Sequence, residues 1–103
     1  MKEWIKLFVV DGRQVAAEIG ENDDNDPKLC IRAKVEHADY AIEVNVGPVA
    51  KPEDETFGGD WEQAQAFIRQ QFDDLTQEKV EALVRPSIEQ ALDILVRAAE
   101  GGE

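Results

Sequence analysis

Cysteine and histidine occur once each in these 103 residues. A single cysteine excludes an intramolecular disulfide. Cys30 and His37 alone cannot complete a structural zinc site without carboxylate help. Nor do they suit nucleophilic catalysis, because residues seven apart on a straight strand point to opposite faces. Basic residues are scarce too: 11 Lys and Arg stand against 23 Asp and Glu, for a formal net charge of −12. That surplus repels phosphate backbones and anionic lipid, so no direct nucleic-acid binding and no membrane binding are expected. Long apolar runs are missing. "WIKLFVV" (4–10) stops at Asp11, too short for a membrane span and without the small-residue cleavage pattern of a signal peptide. Nucleotide signatures of the GxGxxG and GxxxxGK[ST] kinds are also missing. Gly58-Gly59-Asp60 leads into a helix start, but Glu53, Asp54 and Glu55 beside it would repel a phosphate. No carboxylate pair stands out by spacing for hydrolytic chemistry. The expectation is therefore a non-enzymatic chain with no cofactor and no metal. A reduced, cytoplasmic setting fits the lone cysteine.

What is present has strong periodicity. "WIKLFVV" and "QVAAEI" (14–19) read as strands joined at Asp11-Gly12, a hairpin dipeptide. A two-residue loop would set Val15, Ala17 and Ile19 on the side of Trp4, Lys6 and Phe8. A three-residue loop, with Gly12 left-handed, sets them beside Ile5, Leu7 and Val9. The second choice gives one wholly apolar face and is preferred here. "LCIRAKVE" (29–36) and "YAIEVNV" (40–46) alternate cleanly. A four-residue loop between them would pair Val35 with Tyr40 and Arg32 with Glu43. Each hairpin, 4–19 and 29–46, thus offers one apolar and one polar face, as in an antiparallel sheet covered on one side.

The cover comes next in the chain. Asp60 is a good N-cap for a helix over 60–75, with its stripe of Trp61, Ala64, Phe67, Ile68, Phe72 and Leu75. Thr76 opens a second helical segment, 77–100. Pro86 sits inside it, yet Val80, Leu83, Val84, Ile88, Ala91, Leu92, Leu95 and Ala98 stay in phase, so a kinked single helix and two short ones are equally compatible. The predicted fold is a single α+β domain over 1–103: a four-stranded antiparallel sheet with two or three C-terminal helices on one face.

Two features could carry function. The first is "GENDDNDPK" (20–28), with Glu21, Asp23, Asp24 and Asp26. Asn22, Asp24 and Asp26 alternate like calcium ligands. However, Pro27 stands near where the turn glycine belongs, position twelve is Ala33, and strands rather than helices flank the loop. The preferred reading is a solvated link between hairpins. If it has a task, it forms one edge of a negative surface shared with Glu53, Asp54 and Glu55 of the long connection 47–59, and with Asp73 and Asp74. The second feature is Trp4 and Phe8. On the preferred register they lie on the open sheet face, where they would contact a partner or a second copy, unless Phe57 of the 47–59 connection folds over them.

In size, charge and absence of catalytic motifs the chain is similar to the small acidic inhibitors of phages and mobile elements: anti-CRISPR proteins, nucleic-acid mimics and nuclease immunity proteins. The likeness is one of character and is carried by no motif. It implies a protein partner with a basic surface, whose nucleic-acid-binding groove the carboxylates would occlude. The alternative is an assembly or adaptor subunit, or a homodimer, using the open sheet face around Trp4 and Phe8.

Overall fold

The computed structural model describes residues 4–101. Four strands, β1 (Ile5–Val10), β2 (Arg13–Glu21), β3 (Pro27–His37) and β4 (Tyr40–Val46), form an antiparallel meander in chain order. Two helices follow, α1 (Trp61–Asp73) and α2 (Gln77–Ala99). Both cover one face of the sheet, giving the expected α+β two-layer arrangement with two helices and not three.

The first hairpin departs from the preferred reading. Val10 pairs with Arg13 and Phe8 with Val15, so the loop has two residues, not three. Asp11 and Gly12 both take positive φ, 51° and 81°, the requirement of a type I′ turn whose twist matches the strands. Every side chain of β1 is therefore on the opposite face from the one expected. Val10 is fully buried, and Phe8 is half-buried against the core beneath the helices. Ile5, Leu7 and Val9 face outward, 54%, 62% and 62% exposed. Lys6 made this face look costly, but it sits at the sheet edge and reaches over it. Its ammonium donates to the carbonyls of Phe72 (2.8 Å) and Asp73 (3.2 Å), the negative end of α1.

The β3–β4 turn also has two residues, Ala38 and Asp39, with Ala38 left-handed at φ 55°. The register moves by two, which leaves the faces as predicted but changes the partners. Arg32 lies opposite Asn45, Lys34 opposite Glu43, and Arg32 pairs instead with Glu18 of β2.

Leu29, Ile31, Ala33 and Val35 of β3 lie at the centre of the sheet and meet Ala64, Ile68 and Phe72 of α1 and Val80, Val84, Ile88, Ala91 and Leu95 of α2. Trp61 and Phe67 of the predicted α1 stripe stay partly outside. Asp60 caps α1 by accepting from the amides of Glu62 and Gln63, and Thr76 caps α2 by accepting from Lys79. The second helix runs unbroken through Pro86. An interior proline costs about 3 kcal/mol in an isolated helix. Here the stripe stays in phase on both sides of it, and burying that stripe on the sheet outweighs the cost.

Arg85 of α2 grips the first turn through two 3.1 Å hydrogen bonds from Nε and Nη2 to the Asp11 carboxylate. The guanidinium hydrogen bond holds the Asp11 carboxyl below its usual range and raises Arg85. A depressed folded-state pKa gives stability that is present above the ordinary value of 3.8 and lost as pH falls through the folded one. The pair is solvent-exposed, so its contribution is small. Arg85→Ala is expected to lower the melting temperature slightly at neutral pH. The gap from wild type should close once the pH is well below 3.8; a gap of constant size down to that pH would mean that the ionised pair is not its source.

Candidate functional site

The acidic stretch 20–28 splits into parts with different tasks. Glu21 closes β2 opposite Pro27, with its side chain exposed. Asn22 organises the turn. Its Oδ1 accepts from the amides of Asp24 and Asp26, both at 2.9 Å, and its own amide donates to the Asp26 carbonyl at 3.0 Å. Asn25 takes the left-handed conformation at φ 64°, which asparagine tolerates well. Asp26 is only 8% exposed, and Asn22 Nδ2 approaches its carboxylate at 3.4 Å. Asp26 is thus part of the turn's inner structure and is not presented to a partner. Asp23 and Asp24 point outward. Asn22→Ala removes both backbone attachments and is expected to cost about 1–2 kcal/mol. In amide exchange, Asp24 and Asp26 should lose protection while β3 keeps its own; unchanged protection at 24 and 26 would refute Asn22 as the organiser.

The long connection 47–59 is ordered and lies against this loop. Leu29 N donates to Pro48 O and Ala50 N to Pro27 O, so residues 48–50 run beside the start of β3. Gly59 N then returns to Pro52 O at 2.8 Å, closing a tight turn that displays Glu53, Asp54 and Glu55. Phe57 does not cover Trp4 and Phe8. It is buried against Phe67 of α1, ring centroids 5.5 Å apart, and anchors the turn from beneath. Trp61 Nε1 reaches Asn25 O at 3.5 Å, setting the first turn of α1 on the acidic loop.

The Pro27–Ala50 and Asn25–Trp61 contacts tie the turn bearing Asp23 and Asp24 to the 47–59 connection, which carries Glu53, Asp54 and Glu55, and to the start of α1. Asp60 is there as well, but its carboxylate is engaged in capping. Asp73 and Asp74 are elsewhere. They close α1 at its far end, about 18 Å away for a 13-residue helix. Asp73 pairs with Arg69 at 3.3 Å, and Asp74 accepts from Gln70 at 3.0 Å. The ion pairs among the described residues involve Asp11, Glu18, Glu36, Asp73, Glu81 and Asp93, and none of Glu21, Asp23, Asp24, Glu53, Asp54 and Glu55.

The remaining features are placed as follows. Trp4 is 74% exposed on the flank of α1, with the Arg69 guanidinium 5.8 Å from its ring. Trp4 and Phe8 therefore do not form an outward pair, and the exposed apolar row of the open face is Ile5, Leu7 and Val9. The strong preference of Asp-Gly for a two-residue turn is the signal in the sequence that points to this row. Cys30 is buried in mid-strand, and His37 lies at the end of β3, about 23 Å away along an extended chain. An apolar cleft of about 480 Å³ between the helices is lined by Leu29, Pro48, Gln71, Leu75, Lys79, Ala82 and Leu83, with Lys79 its one ionisable group. Among the described residues no group of three or more His, Cys, Asp and Glu could hold a metal ion, and no helix is long and apolar enough to cross a membrane. No protein-family model, curated protein or solved structure matches the chain.

Proposed function

We propose that the chain is a non-enzymatic binding module that docks its acidic end on a basic protein surface, in the manner of an inhibitor that occludes a nucleic-acid-binding groove. One observation carries the reading. Glu21, Asp23, Asp24, Glu53, Asp54 and Glu55 are exposed on two hydrogen-bonded turns tethered through Pro27–Ala50 and Asn25–Trp61, and none has an ion-pair partner within the described chain. Unpaired carboxylates on a rigid scaffold are pre-organised for Arg and Lys of a partner, since little side-chain and loop ordering remains to be done on binding. The same charge steers encounter and raises the association rate. Occlusion follows if those cations are the ones that otherwise hold phosphates. Asp26 is omitted from the docking set because it is turned into its own loop, and Asp73 and Asp74 because they sit at the opposite end of α1. The proposed setting is the cytoplasm, where Cys30 stays a thiol.

The test is affinity capture from a lysate of the source cells. It compares wild type with a variant carrying Asp23→Lys, Asp24→Lys, Glu53→Lys and Asp54→Lys, at salt concentrations of about 50 mM and about 500 mM. The expected result is a basic protein retained by wild type at low salt, weakened at high salt and absent from the variant. The same proteins on both, at both salt concentrations, would overturn the reading.

A further inference from the structure

We propose that β1 is a self-pairing edge: it joins β1 of a second copy in antiparallel register about a two-fold axis at Leu7, making one continuous sheet from two molecules. The β1 edge takes no part in the acidic end, and its geometry is set by the hairpin. A two-residue loop makes Val10 and Arg13 a hydrogen-bonded pair, so Phe8–Val15 and Lys6–Ala17 are hydrogen-bonded pairs as well. The N–H and C=O groups of Ile5, Leu7 and Val9 must then point away from β2, to the sheet edge. Their side chains all lie on the open face, and all are exposed and apolar. Among the described residues no other strand carries three exposed large apolar side chains in alternation.

Edge strands are normally blunted by a charge, a proline or a bulge. On its open face β1 carries no charge, proline or bulge; its one charge, Lys6, is on the covered side with its ammonium tied to the carbonyls of Phe72 and Asp73, and the pairing of β1 to β2 is unbroken. The opposite edge shows the contrast. The outward-facing positions of β4 are Ala41, Glu43 and Asn45, so self-pairing there would set two Glu43 carboxylates against each other. On β1 the same operation sets Leu7 against Leu7 and Ile5 against Val9 of the second copy, with no ionisable side chain on the open face of either strand. The row is thus self-complementary, as an isologous contact requires. It is also a low-charge stretch in a strongly acidic molecule, which favours a copy of itself over a charged partner. One edge group is already in use: Gln77 Nε2 donates to Val9 O at 2.6 Å. A carbonyl has two lone pairs, so that oxygen can still accept from Ile5 of the second copy.

The contact is a single short strand pair, so pairing is expected to be weak, with a dissociation constant on the order of 10–100 μM. Each copy carries −12, so added salt screens the repulsion and strengthens pairing. That is the opposite of its effect on the acidic end meeting a basic partner, so the two proposals fail separately. Sedimentation velocity from about 5 μM to about 1 mM brackets the constant. Wild type is expected to shift from monomer to dimer, with Leu7→Lys and, independently, Ile5→Lys monomeric throughout. Both sites are exposed, so the variants should keep the wild-type circular dichroism and melting temperature. In the dimer the amides of Ile5, Leu7 and Val9 should exchange more slowly while that of Glu43 does not change. A wild type that stays monomeric at the highest concentration, a dimer that survives both substitutions, or unprotected amides at Ile5 and Leu7 would each overturn the proposal.

Discussion

Gly47→Ala is expected to lose about 3 kcal/mol or more, enough to consume much of the stability of a domain this small. Gly47 follows β4 at φ 142°, where side chains are rarely accommodated. The space is closed as well: a Cβ built there would lie 1.9 Å from the Leu29 carbonyl oxygen and 2.9 Å from its carbon. Both obstacles are backbone, so no rotamer change relieves them. The chain would have to part from β3, and the bonds Leu29 N–Pro48 O and Ala50 N–Pro27 O would go with it. Those bonds also hold the 47–59 connection against the acidic loop. Gly58→Ala is the control. Its φ is 58° with nothing within 4 Å of the added carbon, so the cost should be only about 1–2 kcal/mol. Urea unfolding followed by circular dichroism separates the two. Equal midpoints would mean that the close approach at Leu29 is not holding the connection in place.

The second large effect concerns binding. Reversing Asp23, Asp24, Glu53 and Asp54 to lysine should weaken association with a basic partner by about 100-fold or more, because each close charge pair becomes a repulsion and steering is lost. The four side chains are exposed and hold no ion pair in the described chain, so folding should be preserved. Ionic strength must matter in the same direction, with affinity of the wild type falling steeply as salt rises.

Some of this was legible in the sequence and some was not, and the division is between local and distant causes. The faces of β3 and β4 follow from alternation alone. The caps at Asp60 and Thr76 follow from hydroxyl and carboxylate chemistry within one turn. The face of β1 depends on Lys6, whose charge alternation alone assigns to the open side. Its solution, the carbonyls of Phe72 and Asp73, lies 66 and 67 residues away in the chain. The two-residue β3–β4 turn was missed because Ala38 gives no sign of a left-handed conformation. In the acidic stretch, composition alone treats four carboxylates alike. Asn22 draws Asp26 inward and leaves Asp23 and Asp24 outside, a distinction that depends on hydrogen-bond geometry. The tethers of the 22–26 turn to the 47–59 connection and to α1, Pro27–Ala50 and Asn25–Trp61, are contacts that no periodicity encodes.

The most direct measurement of the central claim compares two charge reversals at opposite ends of α1. Titration calorimetry with the captured partner would use the Asp23/Asp24/Glu53/Asp54 variant and an Asp73→Lys, Asp74→Lys variant. The second variant loses the exposed Arg69–Asp73 pair, which is worth little, and lysines at a helix C-terminus suit its dipole, so it should stay folded, as circular dichroism would check. Docking through the acidic end predicts a loss of about 100-fold or more for the first and less than about 3-fold for the second. Equal losses would show that only net charge matters, and a larger loss for the second would put the contact at the wrong end of the helix.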